Sequence, residues 1–287
     1  MSKADRNQSA RQRIAAQQEA ARRAEARRRM LLAGGGIAVV VLIVLGIVLA
    51  KVLSKPAPPS STPAGGTALP ASVQADITSV PASTFASVGS GSVPAGVLRA
   101  GSGAALTSGG KPEMLYIGAE WCPYCAAERW AMATALSRFG TFSPLRGVHS
   151  SSSDVYPNTA TLTFYKSTYT SPYLVFTPVE NEDINHNLLQ SPTAQQQALW
   201  NKYSPGGGYP FIDIGNRFIA ASTYNPQVLQ GLSWTQIAAD LHNPSSPVAQ
   251  GAVGSANVFT AAICKITGNM PASVCTSAPI SALESKL

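Results

Sequence analysis

The chain has 287 residues, 45% of them hydrophobic and 12% charged, which is ample for a packed core and allows one or two domains. Its net charge of +7 points first toward nucleic acid, but residues 1–30 hold nine Lys/Arg against three Asp/Glu, whereas residues 31–287 hold twelve against eleven. The part able to fold is therefore nearly neutral, and a nucleic-acid partner loses its main support.

Residues 1–30, rich in Ala, Arg, Gln and Glu, read as a solvated or membrane-surface basic tail. Leu31 to Ala50 follow without a single charge, a length that matches the hydrocarbon core of a bilayer. Arg27, Arg28 and Arg29 abut this run on one side and only Lys51 and Lys55 follow on the other. A single-pass helix with a cytoplasmic N-terminus and an extracytoplasmic C-terminal part is expected. The run is longer than a signal-peptide core, and Ala50-Lys51-Val52 is a poor cleavage site. Residues 51–75 are rich in Pro, Ser, Ala and Gly and read as a tether. The folded domain is expected over 76–287.

A short helix is expected over Val80–Gly89, with Pro81 near its start and Gly89 as its stop, and a short strand at Val97–Arg99. The stretch from Lys111 to Phe139 is the most informative. An apolar run, Met114 to Ala119, leads into Trp121-Cys122-Pro123-Tyr124-Cys125, and a helical pattern continues through Ala126, Ala127, Trp130, Ala131 and Leu136. The two cysteines thus sit where a strand hands over to a helix. Free N–H groups and the helix dipole at that point favour thiolate over thiol at Cys122. Pro123 suits an early helical position, and Cys125 lies about one turn further on. Half a zinc site is the competing reading, but a structural zinc needs four ligands. There is no second CxxC, and His149, His186 and His242 are far apart in sequence. A purely structural disulfide over so tight a loop would constrain little chain. Thiol–disulfide redox chemistry is the expectation.

Strands are then expected at Leu145–His149, Thr161–Tyr165 and Tyr173–Val179. A helix is expected over 192–203 with Ser191 as cap and Pro192 in its first turn. Tyr209-Pro210 precedes a strand at Phe211–Ile214, and Gly215-Asn216 turns it into a second strand. A proline at the head of a strand can be cis or trans, and the residues alone leave that open. A helix over Trp234–His242 follows. No nucleotide, phosphate or metal motif is present: Gly34–Gly36 fall in the apolar run, and Gly206–Gly208 lack the lysine of a phosphate loop. No cofactor is expected.

A strand, Trp-Cys-Pro-Tyr-Cys at a helix start, a late X-Pro before a hairpin and a closing helix together resemble the thioredoxin fold. More closely, Gly110 to Ala131, and Ile263 to Cys275 with its Cys264 and Cys275, are similar to the signatures of a membrane-anchored thioredoxin-like family of unknown function from actinobacteria and archaea. The resemblance covers about residues 76–278. It implies an α/β domain with a central mixed sheet flanked by helices, behind an N-terminal transmembrane helix. It implies Cys122 as attacking thiol, Cys125 as resolving thiol, and Tyr209-Pro210 as a cis step opposite them whose backbone receives substrate. Trp121, Pro123 and Tyr124 complete the substrate-facing set, with Trp121 shielding the sulfurs. Thioredoxins proper carry a buried carboxylate six residues before the first cysteine; here that position is Tyr116, and neither Glu120 nor Glu128 occupies it. In an oxidising compartment four cysteines fit two disulfides, so Cys264–Cys275 is either a structural staple or a second pair that relays electrons to Cys122/Cys125. Protein thiols and disulfides are the expected substrates, with a membrane redox partner and, through residues 31–50, membrane lipid as further partners. The alternative is a membrane-tethered scaffold stapled by disulfides.

Overall fold

The computed structural model describes residues 64–287. The basic tail, the apolar run of 31–50 and most of the expected tether lie outside them. Among the described residues no helix is long and apolar enough to cross a membrane.

Packing begins before Asp76. Strand β1 (Thr67–Ala68) pairs antiparallel with β6 (Arg146–His149), and helix α1 (Ala71–Thr78) buries Val73 and Ile77. Composition alone places this segment in the tether. What holds it is Arg146, whose guanidinium donates to the carbonyls of Gly65 and Gly66 at 2.5 and 2.6 Å. Helix α2 (Ala82–Val88) starts after Pro81 and stops at Gly89, which has φ +57°, as its sequence predicts.

Two short strands, β2 (Arg99–Ala100) and β3 (Thr107–Ser108), precede the central strand β4 (Lys111–Ala119). Helix α3 (Pro123–Leu136) follows, then β5 (Thr141–Ser143), β6, β7 (Ala160–Thr163), β8 (Thr168–Thr170) and β9 (Val175–Glu182). Helix α4 (Ala194–Tyr203) is capped by Thr193 in a reciprocal box with Gln196, not by Ser191 as expected; Thr193 has its own glutamine three residues on, and Ser191 does not. The hairpin β10 (Phe211–Ile214) and β11 (Phe218–Ala220) turns through Gly215 and Asn216, both at positive φ. Helix α5 (Trp234–Asp240) has a capping box of its own. A π-helical turn (Ala249–Val253) then runs into α6 (Gly254–Ile266), followed by α7 (Ala272–Cys275) and α8 (Ala278–Glu284).

The main sheet is mixed. Strand β4 pairs parallel with β9 and antiparallel with β10, which continues to β11 and β2. Period-two alternation splits β4 between two cores. Met114 and Tyr116 join Trp130, Ala131 and Phe259 on the face covered by α3 and α6, whereas Leu115 and Ile117 join Trp200, Phe211 and Val179 on the face covered by α4. The molecule is thus an α/β fold whose central mixed sheet is flanked by helices. Helix α3 is enclosed nearly all round: from Cys125 to Leu136 every residue is buried, Glu128 and Arg129 included.

Candidate active site

The turn between β4 and α3 shapes the site. Cys122 is the N-cap of α3, with extended backbone, and Pro123 takes the first helical position. The Cys122 sulfur accepts a hydrogen bond from the Cys125 N–H at 3.3 Å, so a free donor of the helix end points at it. Both cysteines are thiols in this structure. They pack with Ala119 in a small cluster of their own, against Trp121 and Tyr209. Cys122 is 4% exposed and Cys125 is fully buried.

The two thiols differ electrostatically. The Cys122 thiol is held below its ordinary value, first by the Cys125 side chain and further by the helix-end N–H groups and Arg129, against burial. Burial pushes the Cys125 thiol well up. The pair therefore divides into a thiolate-forming Cys122 and a proton-holding Cys125.

Tyr209-Pro210 is cis, and the Tyr209 carbonyl oxygen lies 4.0 Å from the Cys122 sulfur. The Tyr209 ring is stacked on Trp200 at 5.1 Å and its hydroxyl donates to Asn181. Trp121 covers the other flank. Its indole N–H donates to Glu182 at 2.7 Å, and its ring lies 4.6 Å from His186 and 5.9 Å from Tyr209. Tyr124 is exposed, with its ring edge toward Tyr156. Of the expected residues, Trp121, Cys122, Cys125 and Tyr209 pack together, Pro123 and Pro210 adjoin them in the chain, and Tyr124 is exposed and faces Tyr156.

Beneath the sulfurs lies a buried polar group with no counterpart in the sequence reading. Arg129 is inaccessible to solvent, as is Glu180. The Arg129 Nε and Nη2 donate to Glu180 at 2.8 and 2.6 Å, and Nη2 donates also to the Ala119 carbonyl at 2.8 Å. Its Nη1 has no partner among the described residues. The Tyr116 ring lies 5.9 Å from the guanidinium, and its hydroxyl rests over Gly118 beside Cys125. A Cβ at Gly118 would stand 2.0 Å from that hydroxyl, so this glycine makes the space Tyr116 needs beside Cys125. Glu120 is buried, and burial raises its carboxyl to about 7 against a weaker pull from Thr163 and the Gly65 backbone. One signal for the missed pair was available: a charge in a helix buried on every side requires a buried partner.

Cys264 and Cys275 are joined by a disulfide that ties the end of α6 to α7. Both are buried, within the large core and outside the Cys122–Cys125 cluster. A second cis bond, Met270-Pro271, lies inside this loop and has no counterpart in the sequence reading.

These features define a mixed α/β protein with a dithiol at a strand-to-helix turn. A family model described as a domain of unknown function (DUF929) matches residues 100–207, from within β2 to just past α4. The matched part holds Cys122, Cys125, Arg129 and Glu180 and ends before Tyr209 and the Cys264–Cys275 loop. No curated protein and no solved structure matches the chain.

Proposed function

We propose that this chain is a membrane-anchored, extracytoplasmic thiol–disulfide oxidoreductase of thioredoxin-like fold, working through Cys122 and Cys125. The observation that carries the reading is the Cys122 sulfur at the helix N-cap, facing the Tyr209 carbonyl. A peptide laid along Tyr209 would bring its own sulfur to Cys122. The thiolate of Cys122 attacks a substrate disulfide, or a substrate thiolate attacks the Cys122–Cys125 disulfide, and Cys125 resolves the mixed disulfide. The basic residues 1–30 and the apolar run 31–50 support anchorage with this domain outside the cytoplasm.

The test is redox titration of the full-length chain in detergent against glutathione and dithiothreitol buffers, following the Cys122 and Cys125 thiols by alkylation. A potential of about −120 to −180 mV marks a disulfide donor or isomerase, and one near about −270 mV a reductase. Absence of exchange overturns the reading. The near-complete burial of both thiols then favours the other one, a tethered scaffold whose disulfides only stabilise it.

A further inference from the structure

Arg129 is placed by spacing as well as by its ion pair. It follows Cys122 by seven residues and Cys125 by four, so all three share one face of α3. Its Nη2 bonds the carbonyl of Ala119, the residue that packs on both sulfurs. Of its donor groups, Nε and Nη2 are taken by Glu180 and Ala119, and Nη1 is buried with no partner among the described residues. An unpaired edge of a buried cation is costly. A negative charge on the sulfurs that pack on Ala119 falls within the field of this guanidinium and offsets part of that cost, and the thiolate of the reduced pair is such a charge. The disulfide carries none.

We propose that Arg129, locked by Glu180, is the positioning residue that stabilises the reduced pair as the Cys122 thiolate, so that the Cys122–Cys125 disulfide is an electron acceptor and its substrates are protein dithiols. This rests on the oxidoreductase reading above. Three charged or titratable groups reach the dithiol, Tyr116 from β4, Arg129 from α3 and Tyr209 before β10, while Glu180 from β9 acts on Arg129 and Tyr116. Arg129 is the cation among them, and it favours the charged form of both cysteines.

The step balances without another reagent for one turnover. A substrate thiolate attacks the Cys122 sulfur, forming a substrate–Cys122 bond and breaking Cys122–Cys125. The departing Cys125 takes up a proton. The second substrate thiol loses its proton to solvent and attacks the substrate sulfur, forming the substrate disulfide and releasing Cys122 as thiolate. Two electrons pass from substrate to protein. Of the two substrate protons, one ends on Cys125 and one in solvent.

The test compares wild type, Arg129→Met/Glu180→Gln, Glu180→Gln and Arg129→Lys, all as full-length chains in detergent with folding checked by circular dichroism. The readouts are the pH dependence of Cys122 alkylation and the equilibrium constant with glutathione. The double variant is expected to hold at least tenfold less Cys122 thiolate near pH 6. Its disulfide is expected to become at least tenfold harder to reduce, a shift of about 30 mV. Glu180→Gln, which strips the counter-charge and leaves the cation, is expected to move both readouts the opposite way, and Arg129→Lys to stay within about threefold of wild type. Unchanged readouts in a folded double variant overturn the proposal. Should the double variant not fold, Glu180→Gln decides alone, and a thiolate fraction that stays constant or falls overturns it. A wild type that does not exchange with glutathione defeats the oxidoreductase reading, whereas one that exchanges near the reductase range defeats only the assignment of dithiol substrates.

Discussion

The carboxyl group of Glu128 accepts a hydrogen bond from the backbone N–H of Thr223 at 2.6 Å, and the Thr223 hydroxyl lies 2.8 Å from its other oxygen. That hydroxyl is also 2.6 Å from Ser255. With an ionised Glu128 the Thr223 hydroxyl donates to it and accepts from Ser255; with a protonated Glu128 the chain reverses, Glu128 donating to Thr223 and Thr223 to Ser255. Burial selects the protonated form, raising the Glu128 carboxyl to about 8 against the smaller pull of its hydrogen bonds with Thr223.

A stability test follows from the sign of that shift. The folded pKa lies above the ordinary value of 4.5, so the native state binds the extra proton, and the contribution of Glu128 is complete below about pH 4.5 and lost as pH rises through about 8. Glu128→Gln reproduces the neutral pattern, its amide N–H donating to Thr223 and its oxygen accepting from the Thr223 N–H. Chemical denaturation of wild type and variant should agree near pH 4.5. The variant should then gain by up to about 1.4 kcal/mol per pH unit toward pH 8. A difference that does not vary with pH would show that Glu128 is ionised throughout.

Division of labour between the two thiols is open to trapping. Serine at position 125 keeps a donor near the Cys122 sulfur and removes the thiol proposed to resolve the mixed disulfide. Cys125→Ser chains incubated with a disulfide-bearing protein should accumulate reductant-sensitive adducts on non-reducing gels, and Cys122→Ser chains should form almost none. Equal trapping by both variants would assign the attacking role wrongly.

Trp121 closes the site through its hydrogen bond to Glu182 and its contacts with His186 and Tyr209. Removing the ring in Trp121→Ala should speed alkylation of Cys122 by a bulky maleimide severalfold, with a smaller change for iodoacetamide. The ratio of the two rates is the measurement, since it separates access from thiol reactivity.

The Cys264–Cys275 bridge is buried and spans eleven positions, so its loss should cost about 3 kcal/mol on loop-closure grounds. The double alanine variant should unfold at lower denaturant while keeping the wild-type glutathione equilibrium at Cys122–Cys125. A relay pair behaves differently: it would open in the same redox buffers as Cys122–Cys125, and its loss would slow turnover.

The strand-to-helix turn, the N-cap position of Cys122 and the first-turn proline were legible because each depends on residues within one helical turn of one another. The hairpin turn at Gly215-Asn216 was legible for the same reason. The start of the domain was not. Residues 64–70 lack an apolar pattern, and they are ordered by Arg146, roughly eighty positions away. Ser191 followed by Pro192 carries a start signal as well, but only Thr193 has a glutamine three residues on to close the reciprocal box.

The sequence by itself determined where the candidate site lies: two thiols at a helix start, on a nearly neutral stretch behind a basic tail and an uncharged run of twenty residues. Only the tertiary structure decided what surrounds those atoms. Glu180 meets Arg129 across 51 positions, and Tyr209 meets Cys122 across 87. The parallel register of β9 on β4 and the antiparallel register of β10 on β4 bring them there. Periodicity and capping act over a few residues and can be read along the chain. The field at a buried sulfur is set by whatever strand pairing places within a few ångströms, and that pairing is a property of the whole packed sheet.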